Sequence, residues 1–102
     1  MYAGNFSNIS PRPWLGAYHG SEQPMQFGTH GNYRGASTPY QIAVSEAMQD
    51  AYRAFINDPQ SGLKGQDWPA FSENSDVVRW FASNGTVAKN VVGELKRLED
   101  QC

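Results

Sequence analysis

The apolar positions of this chain change spacing several times, and each change marks an element. Val44, Ala47, Met48, Ala51, Tyr52 and Phe55 recur three or four residues apart, which places them on one face of a helix. Thr38 can cap that helix, Pro39 suits its first position, and Gln41 stands where a capping-box partner belongs. Asn57-Asp58-Pro59 ends it, because the residue before a proline avoids helical geometry. The spacing predicts a helix from about Pro39 to Ile56. Val77 to Phe81 is a short β-branched and aromatic run and predicts a strand, with Val78 and Trp80 on one side and Val77, Arg79 and Phe81 on the other. Ser83-Asn84-Gly85 reads as a turn. Val87, Val91, Leu95 and Leu98 then fit a helical face and predict a second helix towards the terminus.

The rest is loop-like. Residues 1–38 are rich in Gly, Pro, Asn, Ser and aromatic residues, a composition that breaks regular elements. Long loops of this kind in compact domains often carry function. Tyr2-Ala3 reads as the end of a strand. Trp14, Tyr18, Phe27, Tyr33 and Tyr40 are expected mostly to pack this loop onto a core. Residues 57–76 form a polar connection whose one apolar island, Trp68-Pro69-Ala70-Phe71, is expected to pin it down.

Length and charge narrow the function classes. The chain has 102 residues, enough for one small domain or a piece of a larger one. Eight Lys and Arg against ten Asp and Glu give a formal charge of -2. A nucleic acid is therefore not the expected partner, since phosphate binding needs a basic face. No apolar run approaches the roughly 20 residues that span a bilayer. No basic start followed by an apolar run is visible, so no signal peptide is expected in these residues. Three N-glycosylation sequons, at Asn5, Asn8 and Asn84, nonetheless point towards a secreted protein. Pro11 directly after the second sequon weakens it. Cys102 stands alone, either as a free thiol or with a partner elsewhere.

Both histidines lie in the stretch PWLGAYHGSEQPMQFGTH, from Pro13 to His30. An imidazole can take and return a proton near neutral pH, and Gly16 and Gly20 around His19 let the backbone turn and leave the ring accessible. His19 is thus either a general base or a loop histidine bonded to a carbonyl. A base needs a nucleophile, and none is evident. No serine has the Gly-x-Ser-x-Gly setting of a nucleophile elbow. Ser21 directly follows Gly20 and is expected to open a short helix, with Glu22 in its first turn. His19, Glu22 and His30 match no familiar zinc spacing, so no metal is expected. His30 lies in a Gly-Thr-His-Gly-Asn turn and is expected to be solvated. Trp14 and Tyr18 are near enough to His19 in sequence to be candidate pocket residues.

The run Trp14-Leu15-Gly16-Ala17-Tyr18-His19-Gly20-Ser21-Glu22, then Phe27-Gly28, resembles the catalytic-histidine loop of the type B carboxylesterases and lipases, which are cholinesterase-like α/β-hydrolases. The order continues to match. Ser45 with Met48 and Phe55 looks like the family's following helix, Trp68-Pro69 with Phe71 like its Trp-Pro segment, and Val77 to Phe81 like its final strand. The resemblance covers about residues 2–81 and thins beyond them.

It implies an α/β class, with residues 1–102 forming the C-terminal part of an α/β-hydrolase domain. It further implies that His19 is the triad histidine of an ester hydrolase acting on a small-molecule or lipid ester without a cofactor. Gly20, Ser21 and Glu22 would support the loop. Glu22 is not the triad acid, because its short tether is a poor way to aim the ring at a serine elsewhere. In this family the serine, the acid and the oxyanion hole lie upstream, so the chain alone is expected to be inactive. An upstream cysteine would be a partner for Cys102. The alternative is a shortened, non-catalytic homologue that binds through its aromatic loop or an unpaired sheet edge.

Overall fold

The computed structural model describes residues 1–10, 12–72 and 76–93. Its elements in chain order are a short helix α1 (Gln23–Gln26), a long helix α2 (Pro39–Asn57) and two strands, β1 (Val77–Ser83) and β2 (Thr86–Val92). Single 3₁₀ turns at Pro13–Leu15, His30–Asn32 and Lys64–Gln66 punctuate the loops.

Helix α2 starts and stops where its sequence says. Thr38 Oγ1 accepts the Gln41 backbone N–H at 3.1 Å, and Pro39 fills the first turn without needing a donor of its own. Gln41 does not complete a capping box. Its side chain turns inward instead, and Nε2 donates to Asn8 Oδ1 at 3.0 Å. At the other end Asp58 Oδ1 accepts the backbone N–H groups of Gln60 and Ser61, folding the chain into a turn just past Asn57.

Residues 86–92, where the second helix is predicted to begin, form a strand. β1 and β2 form an antiparallel hairpin in which Val77 faces Val92, Phe81 faces Ala88 and Ser83 faces Thr86. Asn84 (φ 50°) and Gly85 (φ 76°) form its two-residue loop, both with the positive φ that a tight hairpin turn requires. Val87 and Val91 are four apart, a spacing that fits a helix face and also one face of a strand. The Asn-Gly turn and the β-branched ends Thr86-Val87 and Val91-Val92 decide for the strand. Leu95, Leu98 and Cys102 lie outside the described residues.

The expected strand end at the start of the chain is present as a single parallel bridge between Tyr2 and Phe81. Phe81 N donates to Met1 O at 2.8 Å, and Ala3 N donates to Phe81 O at 2.9 Å. Ile9, Met25, Val44, Met48, Ala51, Phe81 and Ala82 form the buried core, where the first loop, α1, α2 and β1 meet. Trp68 packs edge-on against Phe81 at 5.9 Å between ring centres, which pins the 57–76 connection as expected. Phe71 takes no part in this and is exposed. More large apolar side chains lie exposed than buried among the described residues.

Candidate active site

The turn that carries His19 is built from tight backbone bonds. Gly16 (φ 56°) and Gly20 (φ 83°) both adopt the left-handed region, which a side chain would strain. Ser21 N donates to Tyr18 O at 3.0 Å and Gln23 N to Gly20 O at 3.2 Å, so the chain doubles back on either side of the histidine. Just beyond, Met25 is fully buried and anchors α1 to α2. Ser45 Oγ donates to Met25 O at 2.6 Å, and Gln41 Nε2 approaches Met25 Sδ at 3.8 Å. The imidazole of His19 is thus presented to solvent from a rooted turn, and it makes no hydrogen bond among the described residues.

The neighbours implied by the resemblance divide. Ser21 does not cap α1. Its hydroxyl is buried without a partner among the described residues, in a tight space lined by Tyr2, Gly4, Ile9 and Tyr18. The side chain faces the core because the Tyr18–Ser21 turn directs it there, and Glu22 stands at the N-cap position, not in the first turn. Glu22 makes no ion pair with His19. It is half-buried on the rim of an apolar groove, where its carboxylate adds to the upward shift of the Tyr2 phenol that burial causes. Trp14 is 79% exposed and Tyr18 37% exposed, and neither lines that groove. Phe27 and Tyr33 are exposed as well, so the aromatic loop packs less than its composition suggests. Of the five aromatics, Tyr40, in the first turn of α2, packs best, 6.0 Å from Phe6 between ring centres.

His30 is not solvated. It is half-buried, and its Nδ1 lies 2.6 Å from Ser37 Oγ. The buried bonds of Asn8, Gln41 and Ser45 are what the sequence did not predict. All are polar and buried: Asn8 and Gln41 tie the first loop to α2, and Ser45 ties α1 to α2. Gln41 and Ser45 do fall on the same helical stripe as Val44 and Met48, which was the available signal. No three His, Cys, Asp or Glu side chains converge on a metal-sized site among the described residues. No helix there is long and apolar enough to cross a membrane.

The chain is similar along its whole length to a chlorogenic acid esterase of Aspergillus niger, 44% identical over 117 aligned positions that make up 22% of that protein. It is similar in the same way to secreted lipase 5 of Gibberella zeae, 45% identical over 105 positions and 19% of that protein. This chain is homologous to the C-terminal part of type B carboxylesterases and lipases. It spans about a fifth of the length of these curated relatives. The type B resemblance drawn from the His19 loop and the Trp68-Pro69 segment is therefore the right one, and the mixed helix and strand content is compatible with such a segment. No family model matches the chain, and no solved structure matches it.

Proposed function

We propose that this chain is the C-terminal part of an α/β-hydrolase domain and supplies His19 as general base and acid for the hydrolysis of a carboxylic ester. The observation that carries the reading is a solvent-open imidazole on a turn flanked by two positive-φ glycines, in a chain homologous to esterases and lipases. The serine nucleophile, the triad acid and the oxyanion hole come from the upstream part of the domain. The serine oxygen attacks the ester carbonyl carbon while His19 takes the hydroxyl proton, and backbone N–H groups hold the oxyanion. The bond to the alcohol breaks as His19 returns that proton to the leaving oxygen. Water then attacks the acyl-serine and gives its proton to His19. Collapse frees the acid, and the proton returns to the serine.

Gly20, Ser21 and Glu22 shape the turn that holds His19, and Trp14 and Tyr18 become walls of the substrate site when the rest of the domain covers them. The substrate is a small-molecule or lipid ester, no cofactor takes part, and the protein works outside the cell. The test is a chimera in which this chain replaces the matched segment of the Aspergillus niger relative. It should cleave p-nitrophenyl esters, and His19→Ala should lower kcat by about 10⁴-fold or more. The 102-residue chain alone should give no turnover above buffer. A chimera whose turnover survives His19→Ala defeats the assignment.

A further inference from the structure

The tip of the β1–β2 hairpin carries chemistry that the ester reaction does not use. Asn84-Gly85 is the one Asn-Gly pair in the sequence. A peptide nitrogen can attack the side-chain amide carbon of an asparagine just before it and close a five-membered ring. Glycine allows this most readily, because no Cβ crowds its nitrogen. Asn84 is exposed, and its side chain makes no hydrogen bond among the described residues. The Gly85 N–H has no partner there either, and a Cβ built on Gly85 would meet nothing within 4 Å. Both reacting groups are free and open to water.

The fold decides how often they meet. Asn84 and Gly85 hold φ of 50° and 76°, the compact geometry of a two-residue hairpin loop. Ring closure needs rotation about the Asn84 Cα–C bond, to turn the Gly85 nitrogen towards Cγ. The Ser83–Thr86 pair that closes the loop opposes this rotation. That end of the hairpin is poorly secured by the ladder itself. Ala82 also has a positive φ, 57°, which strains a residue with a Cβ, and the pairing register skips it. A bond from α2 holds the end in place: Tyr40 O–H donates to Thr86 O at 3.1 Å.

We propose that Asn84 is a self-modifying site, deamidated through the Gly85 nitrogen at a rate set by the Tyr40–Thr86 bond. The Gly85 nitrogen gives its proton to solvent and bonds to Asn84 Cγ, and ammonia leaves, which forms a cyclic imide. Water then opens the ring. Attack at the former side-chain carbonyl gives aspartate in an unchanged backbone. Attack at the main-chain carbonyl gives isoaspartate, whose backbone is one carbon longer. Each route consumes one water and releases one ammonia. The longer loop no longer fits a two-residue turn, so the hairpin end loosens further. Either product also ends the Asn84-Gly85-Thr86 sequon, since the nitrogen that would take a sugar has gone. Glycosylation and deamidation compete for this one nitrogen.

The test uses the 102-residue chain made in bacteria, where no glycan is added, and a synthetic peptide of residues 80–88. Both are kept warm in mildly alkaline buffer made with heavy-oxygen water, so that each new aspartate or isoaspartate carries a solvent label. Digestion and mass spectrometry then read every asparagine. Asn84 should convert first in the folded chain, several-fold more slowly than in the peptide, and give both products. Tyr40→Phe keeps the ring beside Phe6 and loses only the hydroxyl, and should speed conversion several-fold. In concentrated urea the chain, the variant and the peptide should convert alike. A second measurement needs no variant. The slowing in the wild-type chain should match the protection of the amides at the turn end of the ladder against hydrogen exchange, since both require the same opening. Another asparagine converting first, or Asn84 still intact long after the peptide is spent, overturns the site. Conversion as fast in the folded chain as in the peptide, a folded Tyr40→Phe chain with an unchanged rate, or an order-of-magnitude mismatch with amide protection overturns the control by the hairpin.

Discussion

His30 Nδ1 lies 2.6 Å from the hydroxyl of Ser37, while His19 has no hydrogen-bond partner among the described residues. A serine against an imidazole is the geometry of a nucleophile and its base. The surroundings give it another role. Asn8 Nδ2 donates to His30 O at 3.2 Å, to Gly35 O at 3.3 Å and to Ser37 Oγ at 3.4 Å, and Asn8 Oδ1 accepts from Gln41. Three loop segments are thereby clamped to the start of α2. Asn8→Ala leaves buried donors and acceptors unpaired and should cost about 2–3 kcal/mol, against about 1 kcal/mol for Ser37→Ala. Amide hydrogen exchange at Gln41 to Ser45 reads the loss, since local opening there becomes more frequent by the same free energy. Ser37→Ala in the chimera should leave ester turnover unchanged. Lost turnover with the fold intact would make Ser37 the nucleophile and undo the assignment of His19.

Ser21 presents the opposite balance. Its hydroxyl is buried and unpaired, which costs about 1–3 kcal/mol relative to a bonded or solvated one. Ser21→Ala removes that penalty and leaves the backbone turn intact. The 102-residue chain should become more resistant to urea, by about 1 kcal/mol. A clear loss of stability would mean that the hydroxyl has a partner, and that Ser21 holds the His19 turn through it.

Much of this was legible in the residues, and the exceptions share a cause. α2 was readable because its cap, its apolar stripe and its Asn57-Asp58-Pro59 stop all agree. β1 was readable from its β-branched and aromatic run. β2 was not, because Val87 and Val91 satisfy both periods and only the Asn84-Gly85 turn separates them. The His19 loop was legible as a motif, yet its surroundings were not. Asn8, Gln41 and Ser45 carry no apolar signal, and a polar side chain is drawn inside by a partner distant in sequence, as Asn8 is to Gln41. The exposure of Phe27, Tyr33 and Phe71 was equally hidden, because composition records that a side chain is apolar and not what covers it.

Alkaline conditions should loosen the packing around Tyr2. Burial pushes its phenol well above the ordinary tyrosine range, and the nearby Glu22 carboxylate adds to the shift. Burial also raises the Tyr40 phenol, whose O–H donates to Thr86 O at 3.1 Å. Both groups hold their protons more tightly folded than unfolded. Above pH of about 10 the unfolded chain releases protons that the folded chain keeps, so stability falls as pH rises. The stabilising contribution is fully present below that pH. Urea midpoints should be level between about pH 8 and 9.5 and then decline, and Tyr2→Phe should flatten the decline. An unchanged slope in Tyr2→Phe would show that Tyr2 is not the buried phenol.

The sequons should differ in occupancy for a reason set by the clamp. A glycan replaces one hydrogen on the asparagine amide nitrogen and needs open space beyond it. Asn84 stands exposed at the tip of the hairpin, and Asn5 is exposed with a single bond from Nδ2 to Pro13 O at 2.8 Å. Asn8 is buried, and its Nδ2 is spent on His30, Gly35 and Ser37. A sugar there would break those bonds and push the first loop off α2. Expressed through a eukaryotic secretory route and treated with a glycosidase that converts glycosylated Asn to Asp, the protein should show the mass change at positions 84 and 5 and none at 8. Occupancy at Asn8 in folded material would mean that its side chain faces solvent. The His30–Ser37 pair would then have to be held by something other than this amide.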